Sequence, residues 1–322
     1  MHHISPYAAL LFGCLTFFSS FASAGPYPEK PIRLVVPYPP GGTTDVLARI
    51  ISQGLTEKLG VAVIVENKPG GGNNIGTEFV IKSPPDGYTM LLTNPANGIN
   101  ASLYKNLSFT FVNDVAPVAG IVRTPNVMVV TNGMPVKTVA EFIEYCKSNP
   151  SKVNMASSGS GTSVHLSGEL FKSMTGCKMT HIPYKGAGPA LNDLLGGQVQ
   201  VIFDNLPSSA GFIKDGRIRA LGVTSVAIEP SLPNVPTIAE TVPGYEATAW
   251  FGLSMPKGSP REAVEKVNTA MNQLLADPKM QRRLADLGGV PIPGTPEDFG
   301  RTISNETQKW EKVVKASGAT VD

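Results

Sequence analysis

Short apolar runs alternate with amphipathic stretches along almost the whole chain. "PIRLVV", "VAVIVE" and "YTMLLT" have the length and β-branched content of buried strands, and each runs into a turn rich in Gly, Pro or Asn. Between the first two lies "TTDVLARIISQGLTEKLG", in which Val46, Leu47, Ile50, Ile51 and Leu55 keep a 3–4 spacing and Gly60 supplies a stop. That pattern predicts a helix. A shorter helix is predicted over "IGTEFVIKS", after the loop "NKPGGGNN", and "NPANG" reads as a polar loop beyond the third strand. The scheme resumes with a helix "KTVAEFIEYCKSNP", a strand "KVNMAS", a loop and helix "GSGTSVHLSGELFKSMTG" and a strand "KMTHIPY". A helix "GPALNDLLGG" follows, then strands "VQVIFD" and "IRALGVTS" on either side of another helix. The proline-rich "EPSLPNVPTIAETVPGY" reads as a connection, "TAWFGLSMP" as a last strand, and the tail as three helices. Such alternation predicts an α/β fold with mostly parallel sheets.

The first lobe so outlined has few helices of its own, and the tail has helices and almost no strands. Folding the tail back predicts one lobe from residues 25–123 plus 250–322 and an inserted second lobe from 124–249. The chain then crosses between lobes near Arg123–Val130 and near Ala247–Ser254, which makes a hinge beside a cleft. Residues 1–24 stand apart. They are apolar and end in Ala22-Ser23-Ala24, which predicts a cleavable export signal with Gly25 as the first mature residue; the absence of Lys and Arg is off that pattern, since such signals begin with a positively charged stretch. A lipoprotein reading ending at Cys14 is disfavoured by the bulky Phe12.

Charge and cysteines narrow the function. A net charge of +2 with no basic stripe speaks against nucleic acid. Cys146 and Cys177 remain after the signal, and either bridge in the exported protein or stay as two buried thiols. His165 and His181 are too few for a metal site, so neither metal nor cofactor is expected.

In an open α/β sheet, ligands sit beyond the C-terminal ends of strands. Those ends are Tyr38–Asp45, Thr93–Asn97, Ser157–Ser163 and Asp204–Ser208. The first and third, "YPPGGTTD" and "SSGSGTS", are Gly-rich turns that run into helices, one per lobe. They offer backbone N–H groups with the hydroxyls of Thr43, Thr44, Ser158, Ser160 and Thr162 beside them. No lysine or arginine lies in either loop. Neutral donors of this kind suit a carboxylate that is bound and then released. Asp45 reads as scaffolding, because a carboxylate facing an anion repels it. "PPGGTTD" lacks the Gly-Lys-Ser/Thr of a P-loop, "GSGTSV" lacks the third glycine of a dinucleotide fingerprint, and "SSGSG" does not fit a hydrolase elbow. His165 begins a helix and packs or hydrogen-bonds locally, sharing a face with Glu169; His181 is a half-buried strand residue.

"YPEKPIRLVVPYPPGGTTDVLAR", "VENKPGGGNNIGTEFVIKSPPDGYTMLL", "NMASSGSGTSVHLSGELFK" and "HIPYKGAGPALNDLLGGQVQVIFDNLPS" closely resemble the tripartite tricarboxylate transporter substrate-binding proteins, also called the Bug family. The resemblance covers nearly the whole chain after the signal, including "WFGLSMPKGSP". It implies a periplasmic, type II Venus-flytrap protein that hands a small carboxylated solute to membrane permease subunits. It also implies a monomer that is not an enzyme. Carried over, the pocket loops fall on Tyr38 to Asp45, with Gly42, Thr43 and Thr44 at their centre, and on Ser157, Ser158, Gly159, Ser160, Gly161 and Thr162. Asn94, His165, Tyr184 and Asp204 map to the pocket or its rim. A sensor subunit or a hydrolase on the same clamp are the alternatives. Dicarboxylates, tricarboxylates, aromatic acids, amino acids and nicotinate-like rings all suit such donors.

Overall fold

The structure is a computed structural model and describes residues 27–150, 152–317 and 321. The expected signal, with Cys14, lies outside the described residues. Strand β1 (Ile32–Val36) leads to helix α1 (Thr43–Leu59), β2 (Val63–Asn67), α2 (Asn74–Ile81) and β3 (Thr89–Thr93). The stretch after β3, expected to be a loop, is helix α3 (Pro95–Leu103). Asn94 caps it by accepting from the Ala96 N–H, the Asn97 side chain accepts from the Asn94 N–H, and Pro95 stands where no N–H is needed. A short helix α4 (Phe111–Asp114) opens onto β4 (Val115–Thr131), a strand of 17 residues.

Then come α5 (Val139–Ser148), β5 (Asn154–Ser157), α6 (Ser163–Thr175), β6 (Thr180–Pro183) and α7 (Ala187–Leu195). They are followed by β7 (Val201–Asn205), α8 (Leu206–Lys214) and β8 (Ile218–Val223). After the proline-rich connection the chain closes with β9 (Thr248–Pro256), α9 (Arg261–Leu275), α10 (Pro278–Ala285), β10 (Val290–Pro291) and α11 (Pro296–Ser317).

Two sheets share β4. The first runs β2-β1-β3-β9-β4-β10, and the second runs β8-β4-β7-β5-β6. The two-lobed α/β architecture is the expected one, but the sheets are mixed rather than mostly parallel. Parallel pairing is confined to β2-β1-β3 and to β7-β5-β6; β4 and β9 pair antiparallel with all their neighbours. The reason lies in the connection. β4 passes directly from one sheet into the other, and β9 returns beside it from Thr248 opposite Pro125 to Pro256 opposite Val115.

Helices α1 and α9 cover one face of the first sheet, where Leu47, Ile51 and Leu55 meet Val267, Met271 and Leu274 over Leu34, Leu92 and Leu253. Burying each such side chain contributes roughly 1.5–3 kcal/mol. Helix α11 joins both lobes. Phe299 and Ile303 pack with Val35 and Trp250 on the first sheet, while Trp310 and Val314 pack with Phe142, Met155 and Phe171 in the second.

Candidate ligand-binding site

A narrow cavity of ≈ 20 Å³ lies where the strand ends of the two sheets face each other, and five helix N-termini border it. Gly42, Thr43 and Thr44 open α1; Asn94 and Pro95 open α3; Thr162 and Ser163 open α6; Ala187 opens α7; and Asn205 precedes α8. Tyr38, Ser158 and Phe251 complete the wall. N–H groups in a helix's first turn lack intrahelical partners. Here those of Thr43, Thr44, Ser163 and Ala187 make no hydrogen bond to other described residues. Asn94 adds a side-chain donor: it is buried, its Oδ1 accepts from Ala96, and its Nδ2 has no partner among the described residues. No Lys, Arg or His lines the cavity. The positive potential comes from dipoles alone.

Of the expected residues, Tyr38, Gly42, Thr43, Thr44, Asn94, Ser158 and Thr162 line this cavity. Asp45 does not. Its carboxylate accepts from the Gly41 N–H at 3.1 Å, Arg49 Nε at 3.0 Å and Asn67 Nδ2 at 3.0 Å, so it braces the first loop. Burial pushes its carboxyl up, but those three donors outweigh it and hold it below the usual range.

The second loop is built from inside. The Gly159 N–H donates to Ser157 Oγ and the Gly161 N–H to His165 Nδ1, so those two amides hold the loop and do not face the cavity. Ser157, Gly161 and His165 do not line the cavity. Gly159, Ser160 and Tyr184 border a neighbouring recess of ≈ 280 Å³ that shares Tyr38 and Ser158 with the cavity and has Lys185 on its rim. The Tyr184 hydroxyl donates to Asp193 at 2.6 Å.

Asp204 is buried below the cavity and accepts from the Ser208 and Ser209 hydroxyls. Burial raises its carboxyl to about 6, against the pull of those hydroxyls. Because Ser208 spends its hydrogen on Asp204, its lone pairs face outward, and the Thr43 hydroxyl donates to it across the cleft at 3.2 Å. Cys146 and Cys177 are free, buried and in contact. Their mutual hydrogen bond pushes Cys146 up and holds Cys177 down.

Pro95, Ser163 and Asn205 fall within the strand-end loops read from the sequence without being singled out there, and Ala187 and Phe251 lie outside them. The first four of these stand at or just before a helix start beyond a strand end, a position readable from "NP", "TS", "NLP" and "KGA". Phe251 is a strand residue with no such mark.

The family model for the tripartite tricarboxylate transporter family receptor matches residues 47–319. The chain belongs to this receptor family. Protein BugT of Bordetella pertussis is 36% identical over 300 residues, covering 92% of this chain and 92% of that protein. Among solved structures, Rhodopseudomonas palustris Rpa4515 with adipate is 40% identical at a TM-score of 0.89, covering 91% of this chain and 98% of the other. MatC from the same species with bound malate is 30% identical at a TM-score of 0.86, covering 89% and 100%. The family consists of periplasmic solute-binding proteins rather than enzymes.

Proposed function

We propose that this protein is a periplasmic receptor that closes on a carboxylate of a small organic acid and delivers it to the permease subunits of a tripartite transporter. The observation that carries this reading is the convergence of five helix N-termini on a cavity without a cation. Such a site holds an anion firmly in a dry, closed cleft and lets it go when water enters. The hydroxyls of Thr43, Ser158, Thr162 and Ser163 have no histidine, lysine or carboxylate beside them in the wall, which supports binding without catalysis. That Rpa4515 was solved with adipate and MatC with malate supports a dicarboxylate.

The receptor works as a monomer of two lobes, 25–123 plus 250–322 and 124–249, exported by a signal that ends at Ala24. Its hinge lies where β4 passes between the sheets. Asn126 is the buried anchor there: its Nδ2 donates to Phe203 O, and its Oδ1 accepts from Asn205, which also reaches Ser163 at 3.1 Å. The test is calorimetric titration with adipate, malate and the corresponding diamides. The acids are expected to bind and the diamides to fail. Binding of the diamides as tightly as the acids would remove the anion from the reading.

A further inference from the structure

Beside the second loop, and outside the cavity lining, two imidazole rings lie face to face. His165 is the third residue of α6 and His181 stands on β6; their centroids are 3.9 Å apart and their planes differ by 15°. Each is tied to the loop. The Gly161 N–H donates to His165 Nδ1 at 3.3 Å. The Gly159 N–H donates to the Ser157 hydroxyl at 3.2 Å, and that hydroxyl lies 2.6 Å from His181 Nε2. A neutral imidazole has one nitrogen that accepts and one that donates. At His165 the acceptor is Nδ1, so the proton belongs on Nε2, which faces Glu169 Oε1 at 3.6 Å. Burial pushes the Glu169 carboxyl up, but His165 and Lys172 outweigh this and hold it at about 2. At His181, an accepting Nε2 lets Ser157 donate to the ring and keep a lone pair for Gly159.

We propose that His165 and His181 are positioning residues for anion binding: as neutral acceptors they hold the 157–162 loop in its binding shape, and a proton on His165 releases it. This rests on the anion-binding reading above. A protonated His165 has two donors and no acceptor, so Nδ1–H confronts the Gly161 N–H. The loop then loses a tie at a residue with φ of 82°. Burial, and then the adjacent His165 ring, hold His181 down to about 3, which keeps it a neutral acceptor for Ser157. Glu169, which faces His165, and Lys172, which with Glu169 acts on His181, are both on α6 and pair with each other at 2.9 Å. The expected sign is the reverse of simple attraction. An imidazolium near an anion ordinarily strengthens binding, and here acid weakens it.

The test has two arms. Spectra of ¹⁵N-labelled protein without added acid follow the His165 ring nitrogens and the Gly159 and Gly161 amides from about pH 7.5 to about pH 5. Calorimetry follows the Kd for adipate over the same range in the wild type and in His165→Asn, whose Oδ1 accepts where Nδ1 did but takes no proton. The neutral ring is expected in its Nε2–H form, and the Gly161 amide is expected to move wherever Nδ1 gains a proton. The wild type should lose at least fivefold more affinity than His165→Asn, a comparison that cancels the protonation of adipate itself. A Gly161 amide unmoved by the ring's titration would overturn the proposal, as would parallel losses in the two proteins. Should adipate bind neither protein at any pH, the anion reading fails, and the spectra still decide whether the ring holds the loop. They decide equally if His165→Asn does not fold.

Discussion

Ser163 stands at the first position of α6, after an extended Thr162, so proline fits there without breaking the helix. Ser163→Pro removes the N–H offered to the cavity, and Ser163→Ala removes the hydroxyl alone. If backbone donors hold the anion, proline should weaken adipate binding at least tenfold beyond the alanine variant, about 1.4 kcal/mol, with circular dichroism unchanged. Equal losses would assign the work to the hydroxyl. Two other residues set opposing pH slopes on stability. Burial raises Asp204 from 3.8 to about 6, so the stability its proton contributes is full below 3.8 and is lost as the pH rises through 6. His181 is held from 6.5 down to about 3, so its contribution is full above 6.5 and is lost as the pH falls towards 3. Asp204→Asn deletes the first slope and leaves the second. Its melting temperature, measured between about pH 4 and about pH 7.5, should climb relative to the wild type by a few degrees, on the order of 1–3 kcal/mol. Parallel curves would mean that Asp204 is not strained by burial. At this scale the sequence was informative where chemistry is local. Thr43, Ser158 and Thr162, expected from the Gly-rich turns, do line the cavity, although the Thr43 hydroxyl donates to Ser208 and the Thr162 hydroxyl to Gly159 O. The N–H of Gly161 turns towards His165, a partner that only the folded loop reveals.

At the scale of elements, α5 and the approach to β6 bring Cys146 and Cys177 together as buried thiols in contact. In an oxidising compartment that pair is expected to bridge, closing a loop of about 30 residues and stabilising the second lobe by roughly 2–4 kcal/mol. Thiol counting in denaturant on protein taken from the periplasm should give none, and two after reduction. Two reactive thiols without reduction would refute it, and the pair would then be plain core packing. The regular elements were legible because their apolar spacing is regular. Two were not. Helix α3 hides behind "NPANG", whose residues favour turns in isolation; it forms because Asn94 and Asn97 cap one another and Asn97 and Asn100 find partners in Thr77 and Asn74. Strand β4 contains Pro117, Gly120 and Pro125, residues that argue against a strand. It tolerates the first two where its pairing with β9 shifts register, between Pro117 and Ala119 and between Gly120 and Val122, and Pro125 at the end of that pairing, opposite Thr248. Those shifts depend on a partner more than 120 positions away, and nothing in a local window announces them.

For the whole molecule, the decisive feature is how tightly the lobes meet. Thr43 bonds to Ser208 across the cleft, and a side chain added at Gly72 or Gly42 would meet Ser160 O at 2.8 Å or Ala187 Cβ at 3.5 Å. The ≈ 20 Å³ left between them is about the room one water needs, so an organic acid enters only when the lobes part. Binding energy must then favour reclosure around the acid, and adipate at a hundred times its Kd should stabilise the protein by about 2.7 kcal/mol. Gly186 separates closure from folding. Its backbone is extended, at φ 166°, so any residue fits its own conformation. In the closed cleft, however, a Cβ there would lie 2.8 Å from Pro39 Cγ of the opposite lobe. Gly186→Val therefore burdens only the closed state, which an open cleft relieves. Its melting temperature without adipate should stay within about 2 °C of the wild type, a change of under 1 kcal/mol. Its Kd for adipate should rise at least tenfold, because a ligand shifts a conformational equilibrium only by its preference for one state. Wild-type affinity in Gly186→Val would show that this seam does not close on the bound acid, and the hinge at β4 would have to swing the lobes together along a different line.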